Sequence, residues 1–107
     1  MNTTEILKQM TGAAKVSFGD KWPEIKSYAE SELKKLAETM SMIQKLSMSD
    51  SITPKQAKLL LEIQKNTART VMLTMEGLGI LTVEKALDNA FAVVKAPINT
   101  LLGWKLL

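Results

Sequence analysis

Seven apolar residues, Trp22, Ile25, Ala29, Leu33, Leu36, Met40 and Ile43, recur at steps of three or four along one stretch of this chain. A helix places such a set on a single face, and a strand does not. The opposite face carries Glu24, Ser27, Ser31, Lys34, Glu38, Ser41 and Lys45, and Glu30 precedes Lys34 in the order that supports a helix. A stripe of this length has to be covered, so the remainder of the chain must provide further packing elements.

It provides helices. Upstream, Asn2 and Glu5 have the spacing of a capping box, and Ile6, Met10, Ala13 and Ser17 repeat at helical intervals. Gly19-Asp20-Lys21-Trp22-Pro23 reads as a break and restart, with Asp20 as the N-cap and Pro23 in the first turn. The pattern fades into a loop over residues 46–51. Thr53-Pro54-Lys55-Gln56 then places an N-cap, a proline at the first helical position and a glutamine at the third. Gly77 and Gly79 close that helix, and Thr82 caps another with Glu84 in its first turn. The connection is short, which predicts an antiparallel hairpin of the last two segments.

The sequence thus predicts one all-α domain with helices over residues 4–18, 22–46, 53–78 and 82–102 and a tail at 103–107. The architecture expected is a small helical bundle or extended helical hairpin of about four helices, two of them long, completed by self-association. Three prolines and five glycines are too few for many short strands. Seven methionines and few aromatics predict a core of Leu, Ile, Val, Ala and Met.

The third segment motivates the self-association. One of its stripes is Ala57, Leu60, Leu61, Gln64, Ala68, Val71, Met72, Met75 and Leu78. A second, Leu59, Ile63, Asn66, Thr70, Leu73 and Gly77, alternates steps of four and three, the register of a coiled-coil seam. A helix apolar on two sides is covered on two sides, either by the three other helices of a small bundle or by a second copy of the chain. Asn66 in this seam either fixes register through a cross-helix hydrogen bond or, with Thr70, faces water between two flanking leucines.

The last eighteen residues, AFAVVKAPINTLLGWKLL, contain twelve apolar ones. On a helical wheel Val83, Leu87, Ala90, Phe91, Val94, Ile98, Leu101 and Leu102 share one side, and Lys85, Asp88, Asn89, Ala92, Ala96, Asn99 and Thr100 lie opposite. The stripe keeps its phase through Pro97, which predicts a continuous, kinked helix. It fails beyond Gly103, so Gly103 is expected in the left-handed conformation that ends a helix, with Trp104 folding back toward Ile98. The tail Trp104-Lys105-Leu106-Leu107 either packs on its own bundle, sits in a groove of another copy or partner, or marks a membrane interface, and Phe91, Val94, Ile98, Leu101, Leu102, Trp104, Leu106 and Leu107 form the surface that a membrane or partner would meet.

The chain has no cysteine and no histidine. Disulfides, thiolate chemistry, histidine-ligated haem and carboxylate–histidine di-metal centres are therefore excluded. Glycine-rich phosphate loops, nucleophile elbows and EF-hand loops are missing from the sequence. Glu62 with Lys65 and Arg69, and Glu76, are expected as surface ion pairs rather than catalysts. No enzymatic activity and no cofactor are expected. The net charge of +3 comes from lysines interleaved with glutamates and a single arginine, Arg69, which argues against nucleic-acid binding.

Ile52-Thr53-Pro54-Lys55-Gln56-Ala57 resembles the capped helix that opens some winged-helix regulators. That family continues with a short helix, a tight turn and a recognition helix, whereas the third segment runs unbroken past Arg69, so nothing is carried over from it.

The function these features predict is a non-enzymatic interaction or structural protein, a homo-oligomer joined through Leu59, Ile63, Asn66, Thr70 and Leu73. The alternative expectation is a protein that binds a membrane surface or an apolar ligand through its C-terminal helix and Trp104. The start MNTTEILKQM lacks a signal-peptide pattern and the final run holds too many polar residues for a simple span, which together with the missing cysteines predicts a cytoplasmic location.

Overall fold

The computed structural model describes every residue except Glu76. Among the described residues all regular structure is helical: α1 (Thr3–Phe18), α2 (Trp22–Met48), α3 (Pro54–Leu73) and α4 (Ile80–Leu102), with one 3-10 turn, Gly19–Lys21, between the first two. The expected break between segments one and two is therefore not coil. Residues 3–48 form one uninterrupted helical run that reverses direction within it, so the chain has three helical runs rather than four separated ones. The reversal falls at Gly19, whose φ of 54° and ψ of −126° lie where a side chain is poorly tolerated. Phe18 and Trp22 stack across this corner with ring centroids 6.1 Å apart.

Each helix packs on the next, and α1 and α4 close the ring with the most extensive contact in the molecule. Neighbours run antiparallel. Thr3 at the start of α1 donates to Ser41 late in α2 at 2.8 Å. Lys65 pairs with Asp88 and Arg69 with Glu84, one number rising as the other falls. The result is an up-down-up-down bundle about one α2 long: the long axis is 42 Å, and 27 helical residues span about 40 Å.

One hydrophobic cluster runs through it. All seven stripe residues of α2 are buried. So are Glu32, Ala37 and Thr39, because α2 is flanked by α1 on one side and α3 on the other and its covered face is wider than one stripe. In α1 the interior residues are Ile6, Met10, Ala14 and Phe18, while Ala13 and Ser17, expected in the stripe, are half-buried beside them.

The helix ends differ from expectation where caps compete. Asn2 caps α1 as expected, accepting from the Glu5 amide at 2.8 Å, and Thr53 and Gln56 form the complete capping box of α3. Asp20 is not a cap: it lies within the 3-10 turn, and α2 begins after Lys21 without a side-chain cap. α2 continues to Met48, two residues past the expected fade. α3 stops at Leu73 instead of residue 78, because the Thr74 amide and hydroxyl both bond the Val71 carbonyl and tighten the chain into turns. α4 starts at Ile80 after Gly79, so Thr82 is inside the first turn and caps nothing. Glu76, expected as a surface ion-pairing group, lies outside the described residues. α4 runs through Pro97 without interruption, and Gly103 ends it at φ 79°, ψ 9°, its amide bonded to the Asn99 carbonyl at 2.9 Å.

Candidate interaction surface

Three rows of contacts fix the rotation of α3. Toward the interior it buries Ala57, Leu61, Ala68 and Met72. On the α4 flank, Lys65 reaches Asp88 and Arg69 reaches Glu84, each at 3.4 Å, and the Lys65 ammonium sits 4.7 Å from the centre of the Phe91 ring. The expected grouping of Glu62 with Lys65 and Arg69 is not formed, since both cations turn across to α4 instead. On the α2 flank, Leu60, Gln64 and Val71 are half-buried.

With these three sides occupied, the fourth points outward. It carries Leu59 at 58% exposure and Ile63 at 52%, then Asn66 and Thr70, both exposed. The Thr70 hydroxyl donates to the Asn66 carbonyl at 3.0 Å and the Thr67 hydroxyl to that of Ile63 at 3.0 Å, so both hydroxyls are turned back along the helix. Leu73, the last expected seam residue, is half-buried against the core and contributes only part of its side chain to the ridge.

The C-terminal surface is placed differently. Val94 and Ile98 are fully buried and Leu106 is almost so, at 7% exposure. Phe91, Leu102, Trp104 and Leu107 are half-buried against the core, and only Leu101 is exposed. The tail lies back on the bundle because Asn99 holds it: its Oδ1 accepts from the amides of Leu106 at 2.9 Å and Leu107 at 3.0 Å, and its Nδ2 donates to the Leu107 carbonyl at 3.2 Å. The Trp104 indole N–H points to Ser47 Oγ on α2, 3.4 Å away. As folded, this segment offers a membrane or partner little of the apolar surface that its composition suggests.

Sequence reasoning missed one interior feature. Glu32 is 5% exposed, with one carboxylate oxygen 3.0 Å from the Lys35 ammonium and the other buried without a partner. Its signal was the heptad spacing of Glu32 and Thr39 from Ile25, a row that continues the α3-side edge of the apolar stripe. Among the described residues no group of His, Cys, Asp or Glu gathers as metal ligands would, and no helix is long and apolar enough to cross a membrane.

No family model matches this chain, and neither a curated protein nor a solved structure gives a significant match to it.

Proposed function

We propose that this chain is a non-enzymatic helical interaction protein that works by self-association through the outer ridge of α3. The observation that carries the reading is the pair Leu59 and Ile63, more than half exposed and directly opposite the buried row of the same helix. Scattered exposed aliphatic side chains are ordinary on a protein surface. These two differ in being adjacent on one helix and continued by short polar residues, Asn66 and Thr70, in a seam register. The absence of histidine and cysteine supports a role in contact rather than catalysis.

Sedimentation velocity at micromolar concentration tests this directly. The expected result is a species heavier than the 11.8 kDa monomer, converted to a folded monomer by Leu59→Asp combined with Ile63→Asp. A strictly monomeric native chain, unaffected by the pair, overturns the proposal.

A second reading has one observation in its favour. A groove of about 350 Å³ between α2 and α3 is lined by Ile25, Tyr28, Val71 and Met75, with Glu24 and Thr74 beside them, a size and character suited to a small apolar ligand. Titration with an apolar dye whose emission reports burial separates the two readings: under self-association alone the emission stays that of free dye, whereas a saturable blue shift that is lost in Val71→Asp assigns the groove to an apolar ligand.

A further inference from the structure

We infer that residues 103–107 are a displaceable occupant of a peptide-binding groove, which takes from another protein a short non-helical segment of two adjacent aliphatic residues followed by an acidic one. The groove lies on the α3 side of α4 and is separate from the outer ridge of α3. Beyond Gly103 the chain leaves helical structure and turns back along α4. Leu107 comes level with Phe91, Ala92 and Lys95 of α4, and Lys65 of α3 stands on the facing wall.

The seated tail shows what the groove recognises. The hydrogen bonds from Asn99 to the tail all go to backbone groups, the amides of Leu106 and Leu107 and the Leu107 carbonyl. Contacts of this kind hold a segment whatever its side chains, as in other modes of peptide capture. Selectivity comes from the Leu106 side chain, buried in the core, and from Leu107, half-buried beside it.

The groove continues past its occupant. An open depression of about 290 Å³ adjoins Leu107 and is walled by Lys65, Asp88, Phe91, Ala92 and Lys95. Lys65 is engaged there by Asp88 and by the Phe91 ring, while Lys95 is exposed. Two lysines against one aspartate leave the depression positive, so an acidic residue after the second aliphatic one complements it.

The tail is also held lightly. Of the four residues after Gly103, Leu106 alone is buried; Lys105 is exposed, and the Trp104 N–H lies 3.4 Å from Ser47 Oγ, long for a hydrogen bond. A segment with so little buried surface opens locally while the bundle stays folded. Opening wets the Leu106 site and leaves Asn99 beside it, an apolar pocket with a polar reader that a second peptide refills.

The test is a tryptophan-free, fluorescein-labelled peptide, Gly-Phe-Lys-Leu-Leu-Glu, titrated into the full chain and followed by anisotropy. Saturable binding is expected in Leu106→Ser, whose own tail has lost its anchor and whose helicity is established by circular dichroism. The native chain is expected to bind about tenfold or more weakly, because its tethered tail competes at an effective concentration of about millimolar. Equal affinity for the two chains, or no binding to folded Leu106→Ser, overturns the proposal. Displacement is read directly on a chain with the native tail: in Trp22→Phe, unlabelled peptide in excess of that effective concentration should move Trp104 emission to the red. Unchanged emission there also overturns the proposal, whether or not Leu106→Ser folds. Asn99→Ala placed in Leu106→Ser should weaken the peptide about tenfold, and an unchanged affinity overturns the reading role of Asn99. Lys95→Glu should weaken this peptide more than one ending in glutamine; equal losses overturn the acidic preference.

Discussion

The helix α4 has a neighbour on each side, and it is joined to them by different physics. Toward α1 it presents Ala86 and Ala90, both buried, on the side that also carries Asn89, whose amide reaches Ser17 of α1 at 2.7 Å. Small side chains let two helices approach closely and pack along their whole length. Toward α3 the same helix presents Glu84, Asp88 and Phe91, and this less extensive contact includes two exposed ion pairs and a cation over a ring. One joint belongs to the interior, the other to the rim. A helix held mainly on one side and by its rim can present an outward ridge to a second copy without disturbing the core that keeps the bundle folded.

The largest effect is expected from damage to the common interior behind both joints. Ile98 is fully buried on α4, and Ile98→Ala removes its aliphatic surface and leaves a void that the neighbouring helices refill only in part. The expected loss is about 2–5 kcal/mol, a large share of the about 5–15 kcal/mol typical of a small domain, read from urea unfolding followed by circular dichroism. A loss below about 1 kcal/mol would mean that this interior has slack and that the rim matters more than its geometry implies.

Most of this interior was legible in the sequence because burial in a helix leaves a periodic trace. Every residue of the α2 stripe lies inside, and in α4 the buried Val83, Leu87, Ala90, Val94 and Ile98 are the ones the wheel gathers. What periodicity does not carry is the direction a chain takes after a helix ends. Asn99 falls on the polar side of α4, where a wheel places it in water. It became the clamp of the tail because Gly103 turns the chain back past the preceding turn, bringing the Leu106 and Leu107 amides to its side chain. Glu32 left only its heptad spacing to Ile25 and Thr39 as a trace, because a wheel for α2 alone does not show that a third helix covers its flank. The outer ridge of α3 was legible as a pattern, whereas its outward aim depends on Lys65 and Arg69 choosing acids on α4 rather than Glu62 on their own helix.

The clamp supplies the intermediate prediction. Asn99→Ala leaves the Leu106 and Leu107 amides without their acceptor beside a nearly buried leucine, and is expected to cost about 1–3 kcal/mol. In a Trp22→Phe background the Trp104 emission should move to the red as the indole leaves its place near Ser47. Asn99→Asp keeps the acceptor oxygens but loses the donor to the Leu107 carbonyl, so it should fall between the native chain and the alanine variant. Emission unchanged in Asn99→Ala would show that the apolar contacts of Leu106 hold the tail unaided.

The rim should yield the smallest effects, and their ordering is diagnostic. Arg69 and Glu84 are each 44% exposed and Asp88 is 71% exposed, so water and salt screen both pairs, and such pairs contribute about 0–1 kcal/mol each. Lys65 has a second partner in Phe91, and a cation over a ring at an exposed site adds about 0.5–1 kcal/mol. Lys65→Ala should therefore cost more than Arg69→Ala, and the double variant should remain well below Ile98→Ala. Raising salt to about 1 M, where the screening length falls to about 3 Å, should shrink the Arg69→Ala effect toward zero and spare more of the Lys65→Ala effect, because part of the latter is contact of the lysine stem with the ring. If the double variant unfolds as readily as Ile98→Ala, α3 is held from the rim after all. The outward ridge would then be coupled to the stability of the whole bundle, and Lys65→Ala would weaken self-association together with folding.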